Sequence, residues 1–135
     1  MDLIDIYIKQ IRSVLELAVP AWHGGITQAE QIDIEQIQKC VAYIILGDNY
    51  VSYKESLKSL SLETLKSRRD KLCLNFVKKA EKHVKFRNWF KPAVYTQNTR
   101  QEKFRYCDVQ AKHSRFKKSP LCFLTNRLNE YHNKK

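Results

Sequence analysis

The spacing of apolar residues predicts helices over most of the first 92 residues. Over residues 2–19 the apolar side chains at positions 3, 7, 8, 11, 14, 15 and 18 repeat with a helical period, and Pro20 is expected to end this helix. Thr27 and Glu30 form a T-x-x-E capping box, which predicts a second helix over residues 28–46. Gly47 follows as the expected left-handed stop. The buried stripe of the second helix is predicted at Ile34, Ile37, Val41, Ile44 and Ile45.

Two further cap signals precede the next helices. Ser52 and Glu55 form an S-x-x-E box before a short helix over residues 53–60. Ser61 is expected to be the N-cap of a helix over residues 62–83, whose apolar spacing is the most regular in the chain. Its predicted inward stripe is Leu62, Leu65, Arg69, Leu72, Cys73, Phe76, Val77 and Ala80. We expect Leu72 and Phe76 to be core residues, and Arg69 to pair with Glu63, with Asp70 or with a carbonyl.

The helical period is lost after Pro92. Residues 93–118 are expected to be irregular or extended, with one strand at about residues 104–109. Ser119 and Pro120 then begin a last short helix lined by Leu121, Leu124 and Leu128. The sequence therefore predicts a mostly α fold. We expect a small bundle of four to five helices over residues 1–92, and a basic, partly irregular extension with a short C-terminal helix over residues 93–135.

The positive charge is concentrated in the second half of the chain. The net charge is +11, but residues 1–60 hold 5 Lys/Arg and 8 Asp/Glu, whereas residues 61–135 hold 20 Lys/Arg and 6 Asp/Glu. A concentrated positive segment indicates a polyanionic partner, most often nucleic acid. The alternative is a solvated basic face that only keeps the chain soluble.

The helix over residues 62–83 and the segment after it carry the candidate nucleic-acid-binding residues. These are Lys66, Arg68, Lys71, Lys78, Lys79, Lys82, Lys85 and Arg87. Contacts from such side chains to phosphates would position a nucleic acid without reading its sequence. The alternative is that their aliphatic stems only surround a buried stripe. Phe86, Trp89 and Phe90 are favoured as core residues at the end of this helix, with base stacking as the alternative.

The motifs of common catalytic sites are missing from the sequence. There is no Asp-Asp pair, no P-loop, no H-E-x-x-H and no G-x-S-x-G. The cysteines at positions 40, 73, 107 and 122 have no zinc-binding spacing, and Cys40 and Cys73 are expected on apolar faces. We therefore expect no catalysis, no metal and no cofactor. No apolar run reaches the ~20 residues that span a bilayer, and the acidic N-terminus is unlike a secretory signal. An intracellular protein is expected, in the nucleus or the cytoplasm.

Four phrases of the sequence resemble one family in the same order. They are IRSVLELAVPAWHGG, IEQIQKCVAYIILGDNYVSY, LSLETLKSRRDKLCLNFVKKA and HSRFKKSPLCFLTNRLNEY. The chain resembles the region after the catalytic palm in reverse transcriptases of non-LTR (LINE-like) retrotransposons, although the family often has a tyrosine where this chain has Leu17. The resemblance implies a thumb-like fragment of an RNA-directed DNA polymerase. Such a fragment would grip an RNA or DNA template–primer without sequence preference, beside the rest of the polymerase.

Two other functions compete with this interpretation. The chain could be a small α-helical protein-interaction module in which the charge of +11 is incidental. It could also be an enzyme with an unrecognised site, which the missing acid pair and nucleotide loop disfavour.

Overall fold

The computed structural model describes residues 2–94, 105–107 and 112–134, and most of these residues are helical. A π-helical segment, Tyr7–Arg12, joins α1 to α2, and Gly47–Asn49 and Arg87–Trp89 are 3-10 turns. Within the described ranges, the only β pairing is an isolated antiparallel bridge between Pro92 and Tyr106. The mostly α fold is confirmed. The α-helices are α1 (Leu3–Ile6), α2 (Ser13–Leu15), α3 (Val19–Trp22), α4 (Gln28–Leu46), α5 (Tyr53–Ser59), α6 (Leu65–Lys82), α7 (Ser114–Lys117) and α8 (Pro120–Asn133).

The chain is divided into two compact units. The first unit consists of Met1–Val19 and Ile26–Lys71, and the second of Pro20–Gly25 and Leu72–Lys135. Helix α6 begins in the first unit and ends in the second. This division differs from the expected boundary between residues 92 and 93, because α6 supplies side chains to both units.

Helix α4 forms where the capping signals predict it. The backbone N–H of Thr27 donates to Glu30 Oε2 at 2.6 Å, and the N–H of Glu30 donates to Thr27 Oγ1 at 3.3 Å. The helix ends at Leu46, and Gly47 follows with a φ of +52°. Both ends are therefore determined by local chemistry that the sequence displays.

The buried face of α4 is not the predicted isoleucine stripe. Gln38 and Ala42 are buried, whereas Ile37 is 40% exposed and Ile44 is 68% exposed. Gln38 is buried because its amide is fully engaged. Its Oε1 accepts from Tyr7 Oη at 2.6 Å, and its Nε2 donates to Tyr53 Oη at 3.0 Å and to the Glu63 carbonyl at 2.9 Å.

Ser61 ends α5 and does not begin α6, so the prediction that it is the N-cap of α6 was wrong. Its φ is +52°. Its N–H donates to the Lys58 carbonyl at 3.1 Å, and the N–H of Leu62 donates to the Leu57 carbonyl at 2.8 Å. These two bonds form a Schellman motif, with serine in the left-handed position that glycine usually occupies.

Helix α6 begins at Leu65, where two other residues satisfy its first N–H groups. Thr64 Oγ1 accepts from the N–H of Ser67 at 3.2 Å. The Glu35 carboxylate accepts from the N–H of Leu65 at 3.1 Å and from the N–H of Lys66 at 3.3 Å. A carboxylate at this end of a helix also complements the helix dipole. Because Glu35 lies on α4, the start of α6 depends on tertiary structure.

The predicted stripe of α6 is confirmed for most of its members. The buried residues are Leu65, Arg69, Cys73, Val77 and Ala80. Leu72 and Phe76 are half-buried, so the core side chains of this helix are the smaller Cys73 and Val77 instead.

The prediction that Cys40 lies on an apolar face of α4 is not met. Cys40 is exposed, whereas Ala42 on the same helix is buried.

The first helix is interrupted, although a continuous helix was predicted over residues 2–19. Of its predicted stripe only Tyr7 is buried, and Leu3 and Val14 are exposed. The π-helical segment is the reason, because its wider turns move a stripe of period 3.6 off one face. Ala18 has a φ of +51°, and Pro20 lies within α3, where it does not end a helix.

In the second unit, α8 confirms the predicted C-terminal helix. Leu124 and Leu128 are buried, while the Ser119 side chain makes no capping hydrogen bond. Helix α7 lies in a stretch predicted to have no helix, and residues 105–107 form a single bridge in place of the predicted strand. Residue 104 and residues 108–109 of that prediction lie outside the described residues.

Gly24 should be intolerant of a side chain, and Gly25 should accept one. A Cβ on Gly24 would lie 2.5 Å from Cγ of Phe123, whereas a Cβ on Gly25 would lie 3.5 Å from its nearest neighbour. We expect Gly24→Ala to destabilise the protein by about 1–3 kcal/mol through overpacking. Gly25→Ala is the matched control and should leave the urea midpoint close to that of the parent. Equal midpoints for the two variants would contradict this packing.

Ser61→Gly should stabilise the protein. A non-glycine residue in the left-handed region costs about 1–2 kcal/mol, part of which is offset by the greater freedom of glycine in the unfolded chain. We expect a net gain of about 0.5–1 kcal/mol in the free energy of unfolding. Chemical denaturation measures it, and Ser59→Gly, inside α5, is the control that should destabilise instead.

Candidate nucleic-acid interface

Two of the three sequence-predicted basic residues of the first unit, Arg68 and Lys71, have side chains engaged with carboxylates. Arg68 Nε donates to Glu16 Oε1, and Arg68 Nη1 lies 3.7 Å from Glu63 Oε1. Lys71 Nζ donates to Glu63 Oε2. The hydrogen bond from Lys71 is the main reason that the pKa of Glu63 is lowered, and the bond to Glu16 raises the pKa of Arg68. Arg68 and Lys71 thus have protein partners that a phosphate would have to displace.

Lys66 and Lys78 occupy two further environments. Lys66 is exposed at the first turn of α6, where the Glu35 carboxylate binds its backbone N–H. Lys78 is half-buried, and its Nζ lies 4.3 Å from the centroid of the Tyr131 ring. Such a cation–π contact stabilises the charge but orients it toward α8.

The remaining predicted cations are exposed residues of the second unit. Lys79 and Lys82 lie on the last turns of α6, and Lys85 and Arg87 follow it. Within the part of the chain that the structure describes, none of the four forms an ion pair. These four side chains, together with the exposed Lys66 of the first unit, are therefore the members of the predicted set best suited to contact a phosphate backbone.

The charge of the two units is markedly different. The first unit contains 9 Lys/Arg and 10 Asp/Glu, a net charge of −1. The second unit contains 16 Lys/Arg and 4 Asp/Glu, a net charge of +12. Acidic residues thus balance the cations of the first unit, and all of the excess positive charge belongs to the second.

The three aromatic residues after α6 have different exposures. Phe90 is buried, with its ring centroid 5.9 Å from that of Tyr106. The ring centroid of Phe86 lies 6.1 Å from that of Phe76 and 5.0 Å from that of Trp89. Trp89 is 45% exposed. Core packing therefore accounts for Phe90 and Phe86, while Trp89 has a ring surface open to solvent.

A carboxylate-centred network in the second unit was not predicted from the sequence. Glu81 Oε1 accepts from Tyr106 Oη, and His132 Nε2 lies 3.0 Å from the same oxygen. Arg105 Nη1 lies 3.4 Å from His132 Nδ1. Because arginine can only donate, this arrangement assigns the imidazole proton to Nε2, which donates to Glu81. These residues are 25 and 51 positions apart from Glu81, so no local motif could reveal them.

Asn129 holds Tyr106 in this network. The N–H of Tyr106 donates to Asn129 Oδ1 at 3.0 Å, and Asn129 Nδ2 donates to the Tyr106 carbonyl at 3.1 Å. Burial and the adjacent Glu81 raise the pKa of Tyr106 to about 12. Burial alone would raise the pKa of Glu81, but the hydrogen bonds from Tyr106 and His132 lower it overall. Glu81 is thus a carboxylate and Tyr106 a phenol at neutral pH.

An open groove of about 520 Å³ lies over this network. Its volume falls within the range of about 300–1,000 Å³ that small-molecule sites occupy. Its described lining residues are Glu81, Arg87, Asn88, Phe90, Lys91, Pro92 and Tyr106. The groove therefore combines two cations, an amide and a carboxylate with apolar walls.

The described residues contain no further site chemistry of the common kinds. Among them, no group of three or more His, Cys, Asp or Glu residues could hold a metal ion. In the same part of the chain, no helix is both long enough and apolar enough to cross a membrane. Cys73 and Cys122 are buried and Cys40 and Cys107 are exposed, and none of the four forms a disulfide.

Comparison with known proteins gives no relative. No protein-family model, no curated protein and no solved structure matches the chain.

Glu81→Gln should remove an acid-sensitive contribution to stability. The pKa of Glu81 is lower in the folded protein than the ordinary value of 4.5. Its contribution is therefore present above that value and is lost as the pH falls through the folded pKa. We expect the free energy of unfolding of the parent to exceed that of Glu81→Gln by about 1–3 kcal/mol near neutral pH. This difference should disappear on acidification. Thermal unfolding across pH measures this.

The control for this prediction is Glu130→Gln on α8. Glu130 Oε2 lies 3.3 Å from Arg127 Nη1 in an exposed pair, which contributes little to stability. A gap for Glu81→Gln that stays constant down to strongly acidic pH would contradict the assigned ionisation.

Proposed function

We propose that this chain binds nucleic acid, without sequence preference, through the exposed cations of its second unit. The single observation that carries this proposal is the segregation of charge. The second unit has a net charge of +12, and Lys79, Lys82, Lys85 and Arg87 are exposed there without ion pairs to described residues. A solvated face that only confers solubility does not require such segregation. Cations that lack carboxylate partners are able to replace the counterions of phosphates.

We further propose that the protein served by this surface is a reverse transcriptase. The four ordered phrases that resemble the post-palm region of non-LTR retrotransposon enzymes support this, as does the mostly α fold of a thumb-like region. The bound molecule would then be a template–primer of RNA or DNA, inside the cell. No catalytic step is assigned to the chain, because it contains no Asp-Asp pair to hold two metal ions.

A second candidate function rests on exposed apolar side chains of the first unit. Tyr43, Ile44 and Val51 are all exposed. Tyr43 and Ile44 line a groove of about 410 Å³ together with Lys39, Cys40 and Tyr50. Exposed apolar patches often mark protein interfaces. This observation favours a protein-interaction module, or a contact with the remainder of a polymerase.

Removing three exposed lysines from the second unit should weaken nucleic-acid binding and reduce its dependence on salt. We choose Lys79, Lys82 and Lys85, each changed to Gln, because Lys71 is bound to Glu63 and Lys78 to Tyr131. The slope of log affinity against log salt should become shallower by up to about 0.9 for each phosphate that the variant no longer neutralises. Fluorescence anisotropy on two unrelated oligonucleotides, across roughly 50–200 mM salt, measures it.

A charge-matched variant of the first unit is the control. Lys39, Lys54 and Lys58 are exposed there, and changing all three to Gln lowers the net charge by the same amount. Its slope should stay close to that of the parent on both oligonucleotides. An equal reduction of affinity in the two variants would mean that the overall net charge, and not the position of the lysines, causes the effect. Absence of binding at low salt would favour the protein-interaction module.

A further inference from the structure

The groove over the Glu81 network has walls that the main chain holds in place. The N–H of Cys107 donates to the Lys91 carbonyl at 2.8 Å, and the N–H of Ala93 donates to the Arg105 carbonyl at 3.0 Å. In addition, the N–H of Arg87 donates to the His83 carbonyl at 2.9 Å. The lining side chains therefore project from hydrogen-bonded backbone.

The two cations of the groove fit a phosphate. Arg87 and Lys91 are both exposed lining residues. The guanidinium of Arg87 can bind a phosphate with two parallel hydrogen bonds, and the Lys91 ammonium adds a compact charge. Asn88, between them in sequence, supplies an amide to the same groove.

The Glu81 carboxylate of the groove disfavours a second phosphate and favours a ligand group that donates a hydrogen bond. Both hydrogen bonds that Glu81 receives from Tyr106 and His132 end on Oε1. A groove-lining carboxylate repels phosphate oxygens, but it accepts readily from the exocyclic amino group of a base. Pro92 is exposed and supplies apolar surface against which a flat base can pack, whereas Phe90 and Tyr106 line the groove but are largely buried.

We propose that this groove receives one unpaired nucleotide of a bound strand, with its phosphate at Arg87 and Lys91 and an amino-bearing base at Glu81. The proposal rests on the proposed nucleic-acid function and adds a site to it. The exposed lysines of α6 would bind the phosphate backbone without regard to base, whereas the groove would distinguish an unpaired end from a blunt one. It would also favour cytosine over uracil, which has a carbonyl where cytosine has the amino group.

The test compares three DNA duplexes of one sequence: blunt, with a single dC overhang, and with a single dU overhang. We expect the parent to bind the dC overhang about five- to tenfold more tightly than the blunt duplex. The dU overhang should increase the affinity over that of the blunt duplex by much less. Arg87→Gln combined with Lys91→Gln should abolish the preference for an overhang. Lys117→Gln combined with Lys118→Gln removes two exposed cations elsewhere in the second unit and should retain it.

Two outcomes separate this proposal from the wider function. Equal affinity of the parent for all three duplexes would overturn the groove while leaving backbone binding intact. If the parent binds no duplex at low salt, the nucleic-acid function fails, and a titration with deoxycytidine monophosphate followed by NMR then decides about the groove. If the nucleotide shifts the NMR signals of the Asn88 side-chain amide in the parent but not in the Arg87/Lys91 variant, the groove is a nucleotide site. If no shift is seen in the parent, the proposed groove site is wrong.

Discussion

The hydrogen bonds that the first N–H groups of α6 donate to the Glu35 carboxylate determine where that helix begins. The carboxylate accepts from Leu65 and Lys66 and also from the Tyr53 hydroxyl. Helix α6 then supplies buried residues and cations along its whole length. The exposed face that carries its cations lies opposite the buried stripe of Leu65, Arg69, Cys73, Val77 and Ala80. The start of α6 therefore depends on a contact made by α4.

The first unit stabilises its polar groups by pairing them internally. Gln38 joins Tyr7, Tyr53 and the Glu63 carbonyl, and burial raises the pKa of Tyr7 to about 12. Arg68 and Lys71 are bound by Glu16 and Glu63. Polar networks of this kind specify one packing, because a partly satisfied network is costly. The second unit contains 16 Lys/Arg and only 4 Asp/Glu, so most of its cations cannot pair with an acid of the same unit.

The sequence could not identify the groove or the network beneath it. Glu81 lies on the polar side of α6 and has no distinctive sequence neighbours, and Tyr106, Asn129 and His132 lie far along the chain. Of the charged residues that line the groove, the sequence analysis named only Arg87 as a candidate nucleic-acid-binding residue, on the basis of its charge. The chemistry of the groove results from chain segments brought together by the Pro92–Tyr106 bridge and by the clamp from Asn129.

The sequence by itself determined the features that depend on residues within one or two turns of each other. These are the capping box at Thr27, the stop at Gly47, the existence of α4, α6 and α8, and the excess of positive charge. The tertiary structure decided which face of α4 is buried, because Gln38 has partners 15 to 31 residues away. It also decided that α6 begins at Leu65 and not directly after Ser61, since α6 receives its capping carboxylate from 30 residues upstream. Hydrophobic periodicity records apolar burial, and it cannot anticipate a polar side chain that distant partners satisfy.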